Sequence, residues 1–368
     1  MGAASGPEQA SSFARLTVTS IEHDPHDCVL VTFDTAGHGG RFEFAHGQHV
    51  NLRRVFATDG GPVDVRRSYS ICSPAPTGAL RIAIREVPGG VFSTWATREL
   101  RPGDEVEVTM PTGHFTHRLD ASAPRRYSLF AAGSGITPLY SVAATVLAGE
   151  PQSRVSLVYV NRTARSTMLI DDLEDLRDRH LGRFTIAYVF TREESDSRLL
   201  SGRPDRRRVD ELIAARLLPG DADHAYLCGP IALTDVVRDA LVAAGTPSDH
   251  IHREVFTTRQ QGMVTLAPQP VDESSVVVAR GRANLHGRAT EFEMYAGDTV
   301  LDAVQRVRPD APFACRSGVC STCQAVLHDG AVDMAVNYGL TPDEVERGLV
   351  LTCQSTPTSA TLTVDYDT

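Results

Sequence analysis

Residues 314–323 read ACRSGVCSTC, which sets Cys315, Cys320 and Cys323 inside nine positions, and Cys353 follows after 29 further residues. Thiols at that spacing converge on one centre only when a tight loop carries them. Ser317, Gly318 and Ser321 suit such a loop, because small residues let a backbone approach closely. The chain must therefore build a fold that offers this loop and returns Cys353 to it.

Seven cysteines occur in all, at 28, 72, 228, 315, 320, 323 and 353. The N-terminus, MGAASGPEQASS, has no basic stretch leading into an apolar one, and no window approaches the roughly 18–20 apolar residues of a membrane span. We therefore expect a cytoplasmic protein, with no membrane partner, whose thiols are ligands, catalytic groups or core residues rather than disulfides. The odd count points the same way. The spacing Cys315-x4-Cys320-x2-Cys323 with a distant Cys353 is that of plant-type [2Fe-2S] ferredoxins, in which four thiolates meet two irons and loop amides point at the sulfurs. A zinc site on the same four thiols is the alternative. It usually shows two close pairs, and here only Cys320 and Cys323 are that close. Arg316 is placed to offset the negative charge of a cluster.

The rest of the chain divides by rhythm. From Phe13 to about Asp120, short alternating runs such as ARLTVTSI, CVLVTFDT, ALRIAIREV and DEVEVTM are separated by glycine and proline, which predicts an antiparallel sheet or barrel with one helix, VFSTWATREL. After Ala123-Pro124, continuous apolar runs alternate with helical patterns, which predicts a parallel sheet covered on both faces. Such a sheet binds ligands at its carboxyl edge, where strand order reverses. TTRQQGMVTLAPQPVDESS lacks periodicity and reads as a linker. The boundaries are a disordered tail over 1–12, a barrel over 13–122, an α/β unit over 123–256, a linker over 257–274 and a cysteine-bearing unit over 275–368.

A cluster moves one electron at a time, so something upstream must supply single electrons. RRSYSICSP places Arg67, Tyr69 and Ser70 on a predicted strand, and PGGVFSTWA opens the barrel's helix with Gly90-Val91-Phe92-Ser93. Arg67 can meet a phosphate, Tyr69 can lie along an isoalloxazine ring, and Ser70 can reach the flavin nitrogen that takes a hydride. Read alone, R-x-Y-S is a strand with a solvated arginine and a packed tyrosine. AAGSGITP puts Gly133, Ser134, Gly135, Thr137 and Pro138 where the first α/β strand meets its helix, aiming amides at a pyrophosphate. YLCGP ends a later strand with Cys228-Gly229-Pro230, where a buried core cysteine is the plainer reading.

Together these motifs resemble the ferredoxin–NADP reductase superfamily, and they stand in that superfamily's order along the whole chain. The text is most similar to the reductase components of phenylacetyl-CoA epoxygenases, through RRSYSIC, GGVFSTWATREL, MPTGHF, AAGSGITPLYSV, YVNRTARSTM, YLCGP and IHREVF. Steroid hydroxylase reductases share the domain order and most of the motifs. The resemblance implies an antiparallel β-barrel flavin domain, an α/β parallel-sheet NAD(P)-binding domain and an α+β β-grasp ferredoxin domain. It implies FAD, with FMN as the alternative, a [2Fe-2S] cluster, and NAD(P)H as hydride donor. Electrons then pass to a separate oxygenase. Ser70, Cys228 and Glu254 fall at the hydride path, and Phe256 near the flavin. Plant-type reductases end in an aromatic residue on the flavin, whereas this chain runs on past Phe256.

Arg162 after the second α/β strand and Thr191-Arg192 after the third favour NADPH over NADH, because a planar guanidinium donates two bonds to a 2′-phosphate. The alternative is a solvated arginine. A net charge of −10 weakens any case for nucleic acid. Residues 275–368 carry 7 basic and 12 acidic residues, half of that excess, and Asp329, Asp333, Asp343 and Glu344 are candidates to face a basic oxygenase. A redox carrier or sensor without enzyme activity is the rival function; intact GSGITP and CGP motifs speak against it.

Overall fold

The computed structural model describes residues 13–25, 27–58, 61–194, 197–256 and 276–367. The tail expected over 1–12 and the linker expected over 257–274 lie outside them. Six antiparallel strands form the first unit: β1 (Phe13–His23), β2 (Cys28–Phe33), β3 (His49–Thr58), β4 (Gly61–Ser70), β5 (Leu80–Arg85) and β6 (Glu105–Thr109), in the order β4-β3-β6-β1-β2-β5. A bridge between Ile71 and Ile82 brings the end of β4 against β5 and closes the sheet on itself. Alternation decides which face turns in. Leu16 and Val18 are buried between exposed Arg15, Thr17 and Thr19, and they meet Val29, Val50, Leu52, Ile82 and Val108 inside. Helix α1 (Val91–Arg98) adds Phe92, Trp95 and Ala96 to that core.

The second unit is wholly parallel. Strands β7 (Arg126–Ala132), β8 (Arg154–Asn161), β9 (Phe184–Phe190), β10 (His224–Gly229) and β11 (Ile251–Val255) lie in the order β11-β10-β7-β8-β9. Helices α2 (Ile136–Gly149), α3 (Ile170–Arg179), α4 (Arg206–Ala214) and α5 (Ile231–Ala244) connect them. Tyr127 through Ala131 are all buried, because helices cover both faces of this central strand. Strand order reverses between β7 and β10, which opens a crevice at their carboxyl ends.

In the third unit, β12 (Val277–Leu285), β13 (Arg288–Tyr295), β14 (Gln324–Asp329), β16 (Leu349–Leu351) and β18 (Thr361–Asp365) make a mixed sheet, with β12 and β18 parallel. A small ribbon pairs β15 (Val332–Met334) with β17 (Ser355–Pro357). Helix α6 (Val300–Val307) starts with Thr299 and Asp302 each bonding the other's backbone amide, and helix α7 (Pro342–Glu346) starts the same way with Thr341 and Glu344. Three cysteines sit between α6 and β14, and Cys353 sits between β16 and β17.

Many ties join the barrel to the α/β unit. Arg81 donates twice to Asp172, at 3.0 and 2.6 Å, Arg85 donates to the Ser166 carbonyl at 2.7 Å, and Asp24 accepts the Leu169 amide at 2.6 Å. Ser141 donates to the Ser73 carbonyl at 2.7 Å. On the other flank His117 lies 3.2 Å from His46, 2.6 Å from the Tyr226 hydroxyl and 2.8 Å from that of Tyr127, and its ring packs on His224 with centroids 4.2 Å apart. Among the described residues no helix is long and apolar enough to cross a membrane.

Candidate functional site

Strand pleating turns Arg67, Tyr69 and the helix start of α1 toward one region. Arg67 is half-buried; its Nη1 donates to the Arg66 carbonyl at 2.8 Å, and it has no carboxylate partner among the described residues. Burial without such a partner holds its pKa below the ordinary guanidinium range. A guanidinium in that state fits an absent phosphate. The Tyr69 ring leans on Phe92, 6.0 Å between centroids. Phe92 itself is core, and the Ser93 hydroxyl is spent inside its own turn, accepting from the Val87 amide at 3.1 Å and bonding the Gly90 carbonyl at 3.2 Å. At this turn Val91 is the exposed side chain.

Ser70 ends the barrel strand and meets the α/β unit directly. Its hydroxyl donates to Glu254 Oε2 at 3.3 Å, and Glu254 is the register partner of Cys228 across β10 and β11. Three groups of two units thus share one point. Burial pushes the Glu254 carboxyl up to about 8, so at neutral pH it holds a proton. Burial and the neighbouring Glu254 carboxylate push the Cys228 thiol well up, so it stays a neutral thiol. Phe256 packs against the apolar core a step further on.

At the carboxyl edge, Gly133-Ser134-Gly135 makes one tight turn between β7 and α2. A Cβ on Gly135 would stand 2.3 Å from the Cys228 carbonyl oxygen, so only glycine lets this turn pack on the Cys228-Gly229-Pro230 segment. Thr137 donates back to the Ser134 carbonyl at 3.1 Å, and Pro138 is buried in α2. The Thr191 amide donates to the Asn161 carbonyl at 2.8 Å and the Arg192 amide to that of Arg162 at 2.9 Å, which sets the two exposed arginines side by side beyond β8 and β9. Neither is in an ion pair among the described residues.

All four expected ligand thiols are buried and unbridged. They interact as two pairs, Cys315 with Cys320 and Cys323 with Cys353. Among the described residues no three His, Cys, Asp or Glu side chains gather about one point as ligands of a single ion would. Two pairs of thiols fit two irons. The Cys320 thiol together with the Ser317 and Val319 amides pulls the Cys315 thiol down to about 5, and the Gly318 amide points at Cys353. Left-handed backbone at Arg316, Gly318 and Ser321 turns these amides inward; a Cβ on Gly318 would stand 2.7 Å from the Val336 carbonyl oxygen.

Two expectations change. Arg316 bonds Asp302 at 2.6 Å and also Gln305, so its charge is largely met within the ferredoxin unit rather than reserved for a cluster. Glu344, at 8% exposure, caps α7 and pairs with His114 of the barrel at 3.1 Å, so it is not free to meet a partner. Asp329, Asp333 and Asp343 are exposed. The sequence reading passed over Asn51, Arg66 and Thr322, which join the barrel to the cysteine loop. No local periodicity marks them.

Family models for an oxidoreductase FAD-binding domain, an oxidoreductase NAD-binding domain and a 2Fe-2S iron-sulfur cluster binding domain match residues 15–117, 129–239 and 283–358. The chain is 37% identical to one subunit of the 1,2-phenylacetyl-CoA epoxidase of Escherichia coli (strain K12), over 97% of this chain and 98% of that one. It is 33% identical to the ferredoxin reductase component of the Mycobacterium tuberculosis 3-ketosteroid-9-alpha-monooxygenase, over 89% and 86%. Phthalate dioxygenase reductase, described as a modular structure for electron transfer from pyridine nucleotides to [2Fe-2S], matches 96% of this chain and 98% of its own, with TM-score 0.57 and 25% identity. An intact type IV self-sufficient cytochrome P450 monooxygenase matches 96% of this chain over 41% of its own, with TM-score 0.67 and 26% identity.

Proposed function

Because this chain belongs to the family of FAD-, NAD(P)- and [2Fe-2S]-binding reductase components of oxygenases, we propose that it serves a phenylacetyl-CoA epoxidase, with NADPH as its hydride donor. The observation that carries the reading is end-to-end similarity to a component of that epoxidase, 37% over 97% of the chain. When bound, the three redox groups turn a two-electron hydride donor into a source of single electrons.

The chain's own part is placement. Arg67 offers its unpaired guanidinium to the flavin phosphate, Tyr69 lies beside the ring, and the Gly90–Ser93 turn contributes backbone amides. Ser70, Cys228 and Glu254 are the residues we assign to the hydride path, with Glu254 holding a proton on Oε1 while Oε2 accepts from Ser70. The Gly133–Gly135 turn, Thr137, Pro138, Gly229 and Pro230 shape the dinucleotide crevice, Arg162, Thr191 and Arg192 receive the 2′-phosphate, and Phe256 closes the flavin edge. Cys315, Cys320, Cys323 and Cys353 hold the cluster. A cytoplasmic setting is part of the same reading, because four of the seven cysteines are assigned as ligands and Cys28, Cys72 and Cys228 are buried core residues.

Similarity to the 3-ketosteroid monooxygenase reductase favours a steroid hydroxylase as the second reading. Reconstitution separates the two. Supplied with NADPH and the purified oxygenase subunits of each system in turn, the protein is expected to support phenylacetyl-CoA epoxidation; support of steroid hydroxylation alone overturns the assignment. Arg192→Ala is expected to raise KM for NADPH and leave that for NADH unchanged.

A further inference from the structure

Several barrel side chains meet the ferredoxin unit, buried His49 among them, which lies against the Cys320 backbone. The Arg66 guanidinium lies over the Phe313 ring, 4.2 Å from its centroid, and points Nη1 at the Phe313 carbonyl at 3.5 Å, while Asp64 holds it at 3.0 Å. His114 pairs with Glu344. Asn51 on β3, 1% exposed, donates from Nδ2 to Thr322 Oγ1 at 3.0 Å, and that oxygen lies 3.1 Å from Cys320 Sγ. Ser68 fixes the Asn51 amide by donating to its Oδ1 at 2.6 Å.

With a cluster bound, Cys320 is a thiolate with no proton to give, so Thr322 Oγ1, which accepts from Asn51, turns its own proton to Cys320 Sγ at 3.1 Å in preference to the Cys320 carbonyl at 3.4 Å. Ser68, Asn51 and Thr322 then all donate toward the cysteine loop. Ser68 stands between Arg67 and Tyr69 on β4. One line of hydrogen bonds therefore runs from the flavin-side strand to a cluster sulfur, across the boundary between units.

We propose that Asn51 and Thr322 are positioning residues for electron entry: they seat the Cys320 side of the cluster loop on the barrel and donate into the ligand sulfur. This rests on the reading that electrons cross from flavin to cluster within this chain. The step oxidises the flavin by one electron, reduces the cluster by one and breaks no bond. A hydrogen bond to a ligand sulfur favours the reduced cluster, because reduction adds negative charge there.

The test uses the full-length holoprotein mixed rapidly with NADPH, with flavin and cluster bleaching followed at separate wavelengths, and an EPR-monitored redox titration of the cluster. In Asn51→Ala the flavin-to-cluster rate is expected to fall roughly tenfold, the scale of one lost buried hydrogen bond, while hydride uptake by the flavin is unchanged. Thr322→Val should slow the same step and move the cluster potential to more negative values; Thr322→Ser, which keeps the hydroxyl, should restore both. Unchanged rates and potential in Asn51→Ala and Thr322→Val overturn the proposal, as does a Thr322→Ser variant as impaired as Thr322→Val, which would reveal packing alone. A wild-type cluster that NADPH never reduces would instead refute the functional reading beneath it.

Discussion

The barrel has two neighbours and holds them differently. Against the α/β unit it sets a two-pronged ion pair, a hydrogen bond from Arg85 to a backbone carbonyl, another from a backbone amide to Asp24, and the His46, His117, Tyr127, Tyr226 cluster. Against the ferredoxin unit it sets the Asn51–Thr322 bond, Arg66 on Phe313, His114 with Glu344, and buried His49 against the Cys320 backbone. The difference follows from what crosses each boundary. A hydride moves only between atoms in near contact, roughly 3–3.5 Å apart, so its two units must be fixed. An electron tolerates a wider and less exact gap, and its carrier must also turn to another protein.

The largest effect should come from taking away what the looser side carries. In Cys323→Ser, iron and acid-labile sulfide are expected to drop to background with loss of the cluster's visible spectrum, while NADPH still bleaches the flavin; stoichiometric zinc in anaerobically prepared wild-type protein would break the assignment itself. Next is the tight junction. Arg81 and Asp172 are 19% and 24% exposed, so Arg81→Ala leaves a half-buried carboxylate unpaired and is expected to cost about 2 kcal/mol, lowering Tm by roughly 4–8 °C. The double variant with Asp172→Ala should lose less than the sum of the singles.

Acid should loosen the same junction, and buried His49, held down at about 4 beside the Cys320 backbone, makes the other answer to acid as well. Burial holds His46 and His252 down at about 4 and His117 at about 3, with His224 also lowered, among Glu150, Arg125, Tyr127, Tyr226 and His250. These histidines stay neutral in the fold while the unfolded chain takes up protons near 6.5. Their contribution is complete above pH 6.5 and is lost as pH falls toward 4. Tm measured across that window should fall with pH, and less steeply in His252→Gln; a slope identical in the variant would remove the cluster from the account. The smallest effect concerns the outer face. The rate of oxygenase reduction should fall with salt as the Debye length shrinks from ~10 Å at 0.1 M to ~3 Å at 1 M, and Asp329→Lys with Asp333→Lys should blunt that dependence; a rate indifferent to both would mean the carboxylates only solvate the surface.

The division into three rhythms was readable because each sheet imposes its own burial. β7 is covered on both faces and is buried without a break from Tyr127 to Ala131, while β1 is covered on one and alternates. The cysteine loop was readable because ligand spacing is a local constraint. Contacts between units have no such signature: His46, His117, His224 and His252 are far apart in sequence, and Asn51 is one of several polar residues on β3. The role of Glu344 did have a signal. Thr341-Pro-Asp-Glu344 is the pattern of a self-capping helix start, which assigns that carboxylate inward before any partner is considered.

The sparse seat beneath the cysteine loop has a kinetic meaning. Two separate proteins meeting through one amide, one stacked guanidinium, one histidine–carboxylate pair and one buried histidine would seldom be found together. Modules joined in one chain meet at an effective concentration on the order of millimolar. At that concentration a contact with Kd near millimolar, about 4 kcal/mol, would be made for roughly half the time. A stronger seat would lengthen the time for loading at the expense of delivery.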